Sequence, residues 1–545
     1  MDKKIVNRNN VYFYTFLFLL VFVLRIPALY HTIVDIDEAA FAEFANKWIN
    51  GGIPYVHMYD NKPLLVYFFY YIVFYFFGIN NLFAVHAVTI ILVYCCAIII
   101  YKFIQNIRGI DEAKAASLFF IFLMHIYEPK YIATNTETLF TLPILISFIS
   151  YYLFIINKWK TNIALVTSGI FAGISFFINY KAGVILIVYG IFAIFSITKA
   201  TNKKREFVKQ LKDMIVIATG FLMVVAGATS YLYCNNALDD FITLGFLYNF
   251  KYIQSGMTTV PIVKAIARFI IFIVCSLPLW LIAGRHAIHL LKEKQYTPIT
   301  LISILWLLAG CFSVLLGWRA YGHYFIQLVP PLAILGGLLI KDITLSLLKK
   351  IYIYFIIMMI LFTASRINIP LTYHYLGDSN SLSDYAYKNV AHAVTEITAP
   401  DDTIFVWGSG AVAYIYANRR CASKIIIADY ISGRQFGVSN EDMQANVNAY
   451  IQLLRKQFIA EVMKNPPAVI IDTSPSGYYG YDKFPLKNFS ALYDFINNNY
   501  RFAKRIDMMD IYVLKNITMR HSTIIPVRSN GSKAFGKNQE CVAPK

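Results

Sequence analysis

Long apolar stretches alternate with short polar ones through the first two thirds of the chain. They lie near residues 11–29, 64–78, 82–104, 114–130, 137–157, 162–180, 182–198, 214–233, 263–284, 298–317, 324–340 and 351–366. Most approach the ~20 apolar residues that an α-helix needs to cross a bilayer. Beyond about residue 367 the pattern becomes that of a soluble α/β unit. Residues 403–407, 424–428 and 468–472 predict short buried strands, and 441–464 and 490–499 have helical periodicity. Gly408-Ser409-Gly410 reads as a plain turn, and 518–545 as a polar, disordered tail. The expected organisation is a transmembrane domain over 1–366, an external α/β domain over 367–517 and the tail.

Basic residues orient the spans. The segment 199–212 holds Lys199, Lys203, Lys204, Arg205, Lys209 and Lys212 against Glu206 alone. The N-terminus, 285–294 and 341–350 are also net basic, as cytoplasmic segments are. All four fall on one side only if one apolar run does not cross. The candidate is 63–77, PLLVYFFYYIVFYFF, short and rich in the aromatic residues that favour the membrane interface. About eleven spans then remain. Residues 30–81, 131–136, Lys181, 234–262, 318–323 and everything after 367 lie outside.

Composition agrees. Of the 545 residues, 58% are hydrophobic and 15% charged, against about 25% charged in soluble domains. The net charge of +18 is not a nucleic-acid footprint, because the lysines sit in the short inter-span segments. Cys95, Cys96, Cys275 and Cys311 lie in apolar runs, and the seven cysteines contain no C-x-x-C pair, so neither zinc nor a disulfide framework is indicated.

Conspicuous polar residues gather on the external side. Asp35, Asp37 and Glu38 open an amphipathic stretch ending at Gly51-Gly52. Asp35 and Glu38 have capping-box spacing, which explains them without function but leaves Asp37 over. Lys62 precedes the aromatic run, where it could snorkel to headgroups. Glu137 begins a span, where it could serve the helix dipole. Lys181 interrupts two apolar runs, and Arg319, His323 and Tyr324 precede Pro330-Pro331 at another span. Their coincidence on one side is the functional signal.

The segments DIDEAAFAEFANKWINGG, DNKPLLVYFFYYIVFYFFGINNLFAVHA, NTETLFTLPILISFISYYL, YKAG and RAYGHYFIQLVPPLAIL resemble, in that order, the protein O-mannosyltransferase and lipid A aminoarabinose transferase branch of the GT-C glycosyltransferases. The similarity covers residues 10–340. It implies a polytopic GT-C fold with juxtamembrane helices in the first loop, a polyprenyl-phosphate sugar donor, an external site and inverting transfer. By the same resemblance Asp37 matches the catalytic aspartate, with Glu38 its neighbour, and Glu137 stands where a second aspartate is usual. Lys62 and Lys181 match lysines that bind the donor phosphate, and His323 and Tyr324 polar donors near it. His86 replaces the family's arginine and is assigned no role.

The chemistry needs cations for the leaving phosphate, which Lys62, Lys181 and Arg319 supply, with His323 as donor. It also needs a base for the acceptor hydroxyl, for which Asp37 is the choice. Glu137 would orient the acceptor or share a divalent cation, Mg²⁺ or Mn²⁺, with Asp37; no complete ligand set is visible, and metal independence is expected. The acceptor class (protein, lipid A or polysaccharide) stays open, since fold kinship does not settle it. The expected setting is a bacterial plasma membrane, with the site and the C-terminal domain facing outward and no nucleic-acid partner. The competing reading is a lipid-linked-sugar transporter or flippase, and a non-catalytic assembly protein is a third. An enzyme with its site in the membrane is expected to keep some transfer without residues 367–545.

Overall fold

The structure is a computed structural model that describes residues 2–159, 161–254, 259–293, 297–338, 340, 343–378, 380–434 and 449–516. The tail after 517, Lys341 and the first part of the 441–464 helix lie outside the described residues.

All eleven expected spans become helices, but of unequal length. Seven are long and apolar enough to cross a membrane: Asn10–Tyr30, Leu82–Ile107, Thr136–Ile155, Tyr180–Lys199, Lys203–Cys234, Pro298–Leu315 and Leu345–Ser365. An eighth forms if Pro261–Cys275 and Leu277–His289 count as one span, bent by 91°. Proline at 278, in the first turn of the second helix, cannot donate the backbone bond that would continue the first. Ser276 fills the corner, donating to Phe272 O and accepting from Trp280 Nε1. The runs at 162–180 and 324–340 become the shorter helices Asn162–Ile178 and Gly322–Leu338.

Two expectations need correcting. The run at 114–130 is helical only as far as Leu123; Glu128, Pro129 and Lys130 belong to a following loop with a 3-10 turn at Pro129–Ile132. The basic segment 199–212 is not a loop either, because the helix Lys203–Cys234 has taken up most of it.

In the first external segment, α2 (Ile36–Ile49) and α3 (Leu64–Phe77) follow α1 (Asp2–Tyr30). With 14 residues, α3 is about 21 Å long, short of the ~30 Å hydrocarbon core. It buries Tyr67, Tyr70 and Phe74 inward and leaves Phe68, Ile72 and Phe76 exposed, as a helix lying at the interface would. Deeper in, α7 (Asn162–Ile178) packs on α9 (Lys203–Cys234) through facing glycines. A Cβ on Gly169 would stand 2.0 Å from Ile217 O, and one on Gly220 2.3 Å from Val166 O. Small residues permit such backbone approach between membrane helices, and here they fix where α7 releases the Asn179–Lys181 turn.

The C-terminal part forms a five-stranded sheet in the order β2-β1-β3-β5-β4, with β1 Thr403–Trp407, β2 Arg420–Cys421, β3 Val469–Asp472, β4 Tyr500–Ile506 and β5 Met509–Leu514. β1 runs parallel to β2 and β3, while β5 pairs antiparallel with β3 and β4. The strand expected over 424–428 is absent; instead Ile425 makes a single bridge to Tyr59 of the first external segment. That bridge belongs to a clamp. Tyr59 N donates to Lys424 O at 2.8 Å, Cys421 N to Glu43 Oε1 at 2.8 Å, and Lys47 Nζ to Ser423 O. Burial pushes the enclosed Glu43 carboxyl up to about 7. The sheet is thereby held over α2, and its loops reach the space beneath.

Candidate active site

Between the external ends of the membrane helices and the C-terminal sheet lies a cavity of about 400 Å³. Asp37, Lys62, His323 and Tyr324, four of the residues expected from the sequence, line it. So do Asp35, Asp60, Glu128, Lys130 and Arg268, and from above Asp378, Asn380, Asp429, Arg434 and Tyr479.

Asp35 and Asp37 reach the cavity from the first turn of α2. Glu38, three residues after the N-cap, turns away from it. Its Oε2 accepts from Val34 N at 2.7 Å and Asp35 N at 3.2 Å, and its Oε1 from Thr134 N at 2.6 Å. His86 Nε2 stands 3.0 Å from the same Oε1. Burial pushes the Glu38 carboxyl up, but His86 and the amides of Thr134 and Val34 outweigh it and hold it below the ordinary range. The geometry therefore gives Glu38 the capping role that its spacing allows and takes it away from the reacting space. His86, left without a role on the sequence, is its partner from α4 (Leu82–Ile107).

Asp35 is the opposite case. Its carboxyl faces the cavity rather than serving only as a cap, with His323 Nδ1 at 3.9 Å from Oδ2. Burial pushes it up to about 6, with Asp37 adding to the shift and Lys130 opposing it. Burial disfavours the Lys130 ammonium too, but Asp35 beside it prevails and carries it up to about 12. The imidazole of His323 is thus set between two acids, since Glu137 Oε2 lies 4.0 Å from Nε2 on its other side.

Glu137 is fully buried behind the cavity wall. It accepts from Thr136 Oγ1 at 2.8 Å and Asn179 Nδ2 at 3.1 Å, and its charge acts on Lys181. Lys181 follows α7, its amide donating to Asn179 Oδ1 at 3.0 Å. Its buried ammonium lies over the Tyr324 ring and has no hydrogen-bond partner in the chain. Arg319 is buried in the same neighbourhood, presented by a turn in which Trp318 and Ala320 both have positive φ (53° and 39°), a conformation non-glycine residues adopt at a cost. Gly322 beside it cannot be replaced, because a Cβ there would stand 1.4 Å from Glu128 Oε2.

Lys62 is set by its backbone, whose carbonyl accepts from Tyr55 OH at 2.8 Å. The preceding Asp60 accepts from Tyr430 OH at 3.0 Å, a contact made by the sheet domain. Asp429 is held by Ser409 Oγ at 3.1 Å, Arg434 Nη1 at 2.8 Å and Tyr481 OH. A cavity roofed in this way does not fit the expectation that the membrane part alone retains transfer.

The sequence reading missed Lys130, Glu128 and Arg268. The first two were visible as charges at the end of an otherwise apolar run, and Arg268 as a lone cation inside one. The roof residues carried no such signal. Among the described residues, no three His, Cys, Asp or Glu side chains come together as a metal site would require.

No protein-family model and no curated protein sequence matches the chain. Solved structures do. The apo structure of ArnT from Cupriavidus metallidurans aligns over 93% of this chain and 98% of its own, with a TM-score of 0.54 and 12% identity. ArnT from the same organism bound to undecaprenyl phosphate aligns over the same shares, with a TM-score of 0.56 and 12% identity. The chain has the GT-C fold. Within a GT-C fold the cavity lies where the membrane helices meet the soluble part, and the likeness spans both parts of the chain.

Proposed function

We propose that this protein is an integral membrane glycosyltransferase. It would move a sugar, with inversion, from a polyprenyl-phosphate donor to a hydroxyl acceptor on the outer face of a bacterial plasma membrane. One observation carries the reading. A single cavity sets the carboxylates of Asp35 and Asp37 with Lys62, His323, Tyr324 and Arg268, and Lys181 stands with its ammonium unpaired behind Tyr324. The undecaprenyl phosphate bound to ArnT, a structure of the same fold, supports the choice of donor.

In this proposal the acceptor oxygen bonds to the anomeric carbon while the bond from that carbon to the phosphate oxygen breaks. The electron pair leaves with the polyprenyl phosphate, and the hydroxyl proton passes to Asp37. Lys62, Lys181 and Arg319 stabilise the charge growing on the phosphate, with His323 and Tyr324 donating hydrogen bonds. One displacement inverts the centre. Glu137 acts from behind: as the buried counter-charge of Lys181 and the neighbour of His323, it keeps both cationic groups in place. It is a positioning residue, as is Glu38.

The reading is tested by supplying the purified protein with a pool of labelled polyprenyl-phosphate sugars and membrane acceptors. Release of free polyprenyl phosphate with label in a product of opposite anomeric configuration is expected. Movement of intact donor across a vesicle membrane without product would instead establish the transporter.

A further inference from the structure

The cavity has a side chamber of about 100 Å³, a quarter of its volume, between the start of α2 and the segment leading into the sheet domain. Asp35, Lys130, Asn380 and Tyr479 line both spaces, so the two meet at the acids of α2. Their chemistry differs. The main cavity carries Lys62, Arg268 and Arg434. The chamber has one cation, Lys130, and Asp35 already engages it. The rest of its polar lining consists of carboxylates, amides and hydroxyls: Asp378, Asp384, Asn380 and Ser381 beside tyrosine rings. Ser381 Oγ is buried and has no hydrogen-bond partner in the chain.

A phosphate entering such a chamber would meet Asp35, Asp378 and Asp384 and no uncommitted cation. Sugar hydroxyls, which both donate and accept, would find carboxylate and amide oxygens to donate to, with ring faces for their C–H surfaces. The small volume admits the end of a chain rather than the loop of a folded protein.

Resting on the glycosyltransferase reading, we infer that this chamber seats the acceptor. Its reacting end is a neutral, polyhydroxylated unit, the terminal sugar of a glycan, and not a phosphorylated sugar or a peptide. The donor phosphate then lies on the Lys62 side and the acceptor on the Asp378 side. Asp35 and Asp37 stand between them, where the proton must be taken up.

The experiment measures transfer to neutral disaccharides, the same disaccharides carrying a phosphate, and a serine/threonine peptide, in wild type and in Ser381→Leu, with undecaprenyl phosphate binding followed in parallel. Ser381→Leu fills the chamber, and Ser381→Ala controls for folding. The expected result is preference for the neutral sugars and an acceptor KM raised about tenfold or more by Ser381→Leu, with undecaprenyl phosphate binding unchanged. Preferred transfer to the phosphorylated sugar or the peptide, or an acceptor KM indifferent to Ser381→Leu in a folded variant, would overturn the inference and leave the glycosyltransferase reading standing. Absence of any donor turnover in wild type, with water or any acceptor, would overturn both.

Discussion

Replacing Glu38 with glutamine separates a carboxylate that builds the site from one that works in it. Both oxygens are committed: Oε2 to the amides of Val34 and Asp35, and Oε1 to the amide of Thr134 and to His86. Glutamine keeps the shape but turns one oxygen into an NH₂, so donor faces donor on one side and the charge is lost. A hydrogen bond to a charged group contributes about 1.5–3 kcal/mol net. Removing one member of a buried polar pair costs about 3–5 kcal/mol, so a loss of about 3–5 kcal/mol is expected. The sign with pH follows from the depressed carboxyl. A folded pKa below the unfolded one adds stability that is present above the unfolded pKa and lost as pH falls through the folded value. The gap between wild type and Glu38→Gln should therefore be full at neutral pH and close on acidification below the ordinary carboxylate range. Thermal unfolding in detergent, with turnover normalised to the folded fraction, reads both effects. The expected outcome is a lowered midpoint with kcat per folded molecule retained to within about tenfold, less than the ~10²–10⁴ that loss of a general base brings. An unchanged midpoint with turnover reduced by 10² or more would refute the positioning role and make Glu38 a reacting group.

Three further outcomes follow from the geometry. Lys62→Met and Lys181→Met should each weaken undecaprenyl phosphate binding by about 1.5–3 kcal/mol, or some 10- to 150-fold, as loss of a charge-assisted contact does; binding titrations in nanodiscs check it. For Asp35 the folded carboxyl is raised to about 6 by burial, so the folded state holds more protons than the unfolded between about pH 4 and 6, and stability falls as pH rises through that window. Asp35→Asn should raise the unfolding midpoint at pH 7–8 and leave it near wild type at pH 4. Transfer should survive exhaustive chelation because side-chain cations surround the acids; recovery only on adding Mg²⁺ or Mn²⁺ would show a metal requirement.

Much of the membrane part was legible because its constraints are local. Apolar run length marks spans, and lysine position marks sides. The short aromatic segment before Gly78 could be set at the interface from parity alone. Where turn chemistry overrode hydrophobicity, the reading went wrong: Pro129 and its charged neighbours end a helix that apolar content would have carried to residue 130. In the α/β part, β1 and the helix Ser490–Asn499 were readable from alternation and periodicity. The segment after Ser423 was not, since its apolar residues meet Tyr59 rather than a neighbouring strand.

Within the site, spacing could show that Asp35 and Glu38 form a capping pair, but not which of them also faces the cavity. That depends on Thr134 and His86, 96 and 48 residues away from Glu38. The roof was invisible for the same reason. Asp429, Arg434 and Tyr479 are ordinary polar residues of a soluble domain until the clamp at Glu43 and Tyr59 brings that domain over α2.

The central claim, that a carboxylate of α2 takes the acceptor proton while cations across the cavity receive the leaving phosphate, rests most directly on Asp37. The decisive measurement is sugar transfer from a labelled polyprenyl-phosphate donor by wild type and Asp37→Asn, reconstituted side by side, with undecaprenyl phosphate binding measured on both. The account predicts transfer by wild type and a loss of about 10²-fold or more in kcat for Asp37→Asn, with binding intact. Equal turnover by the two proteins would contradict it.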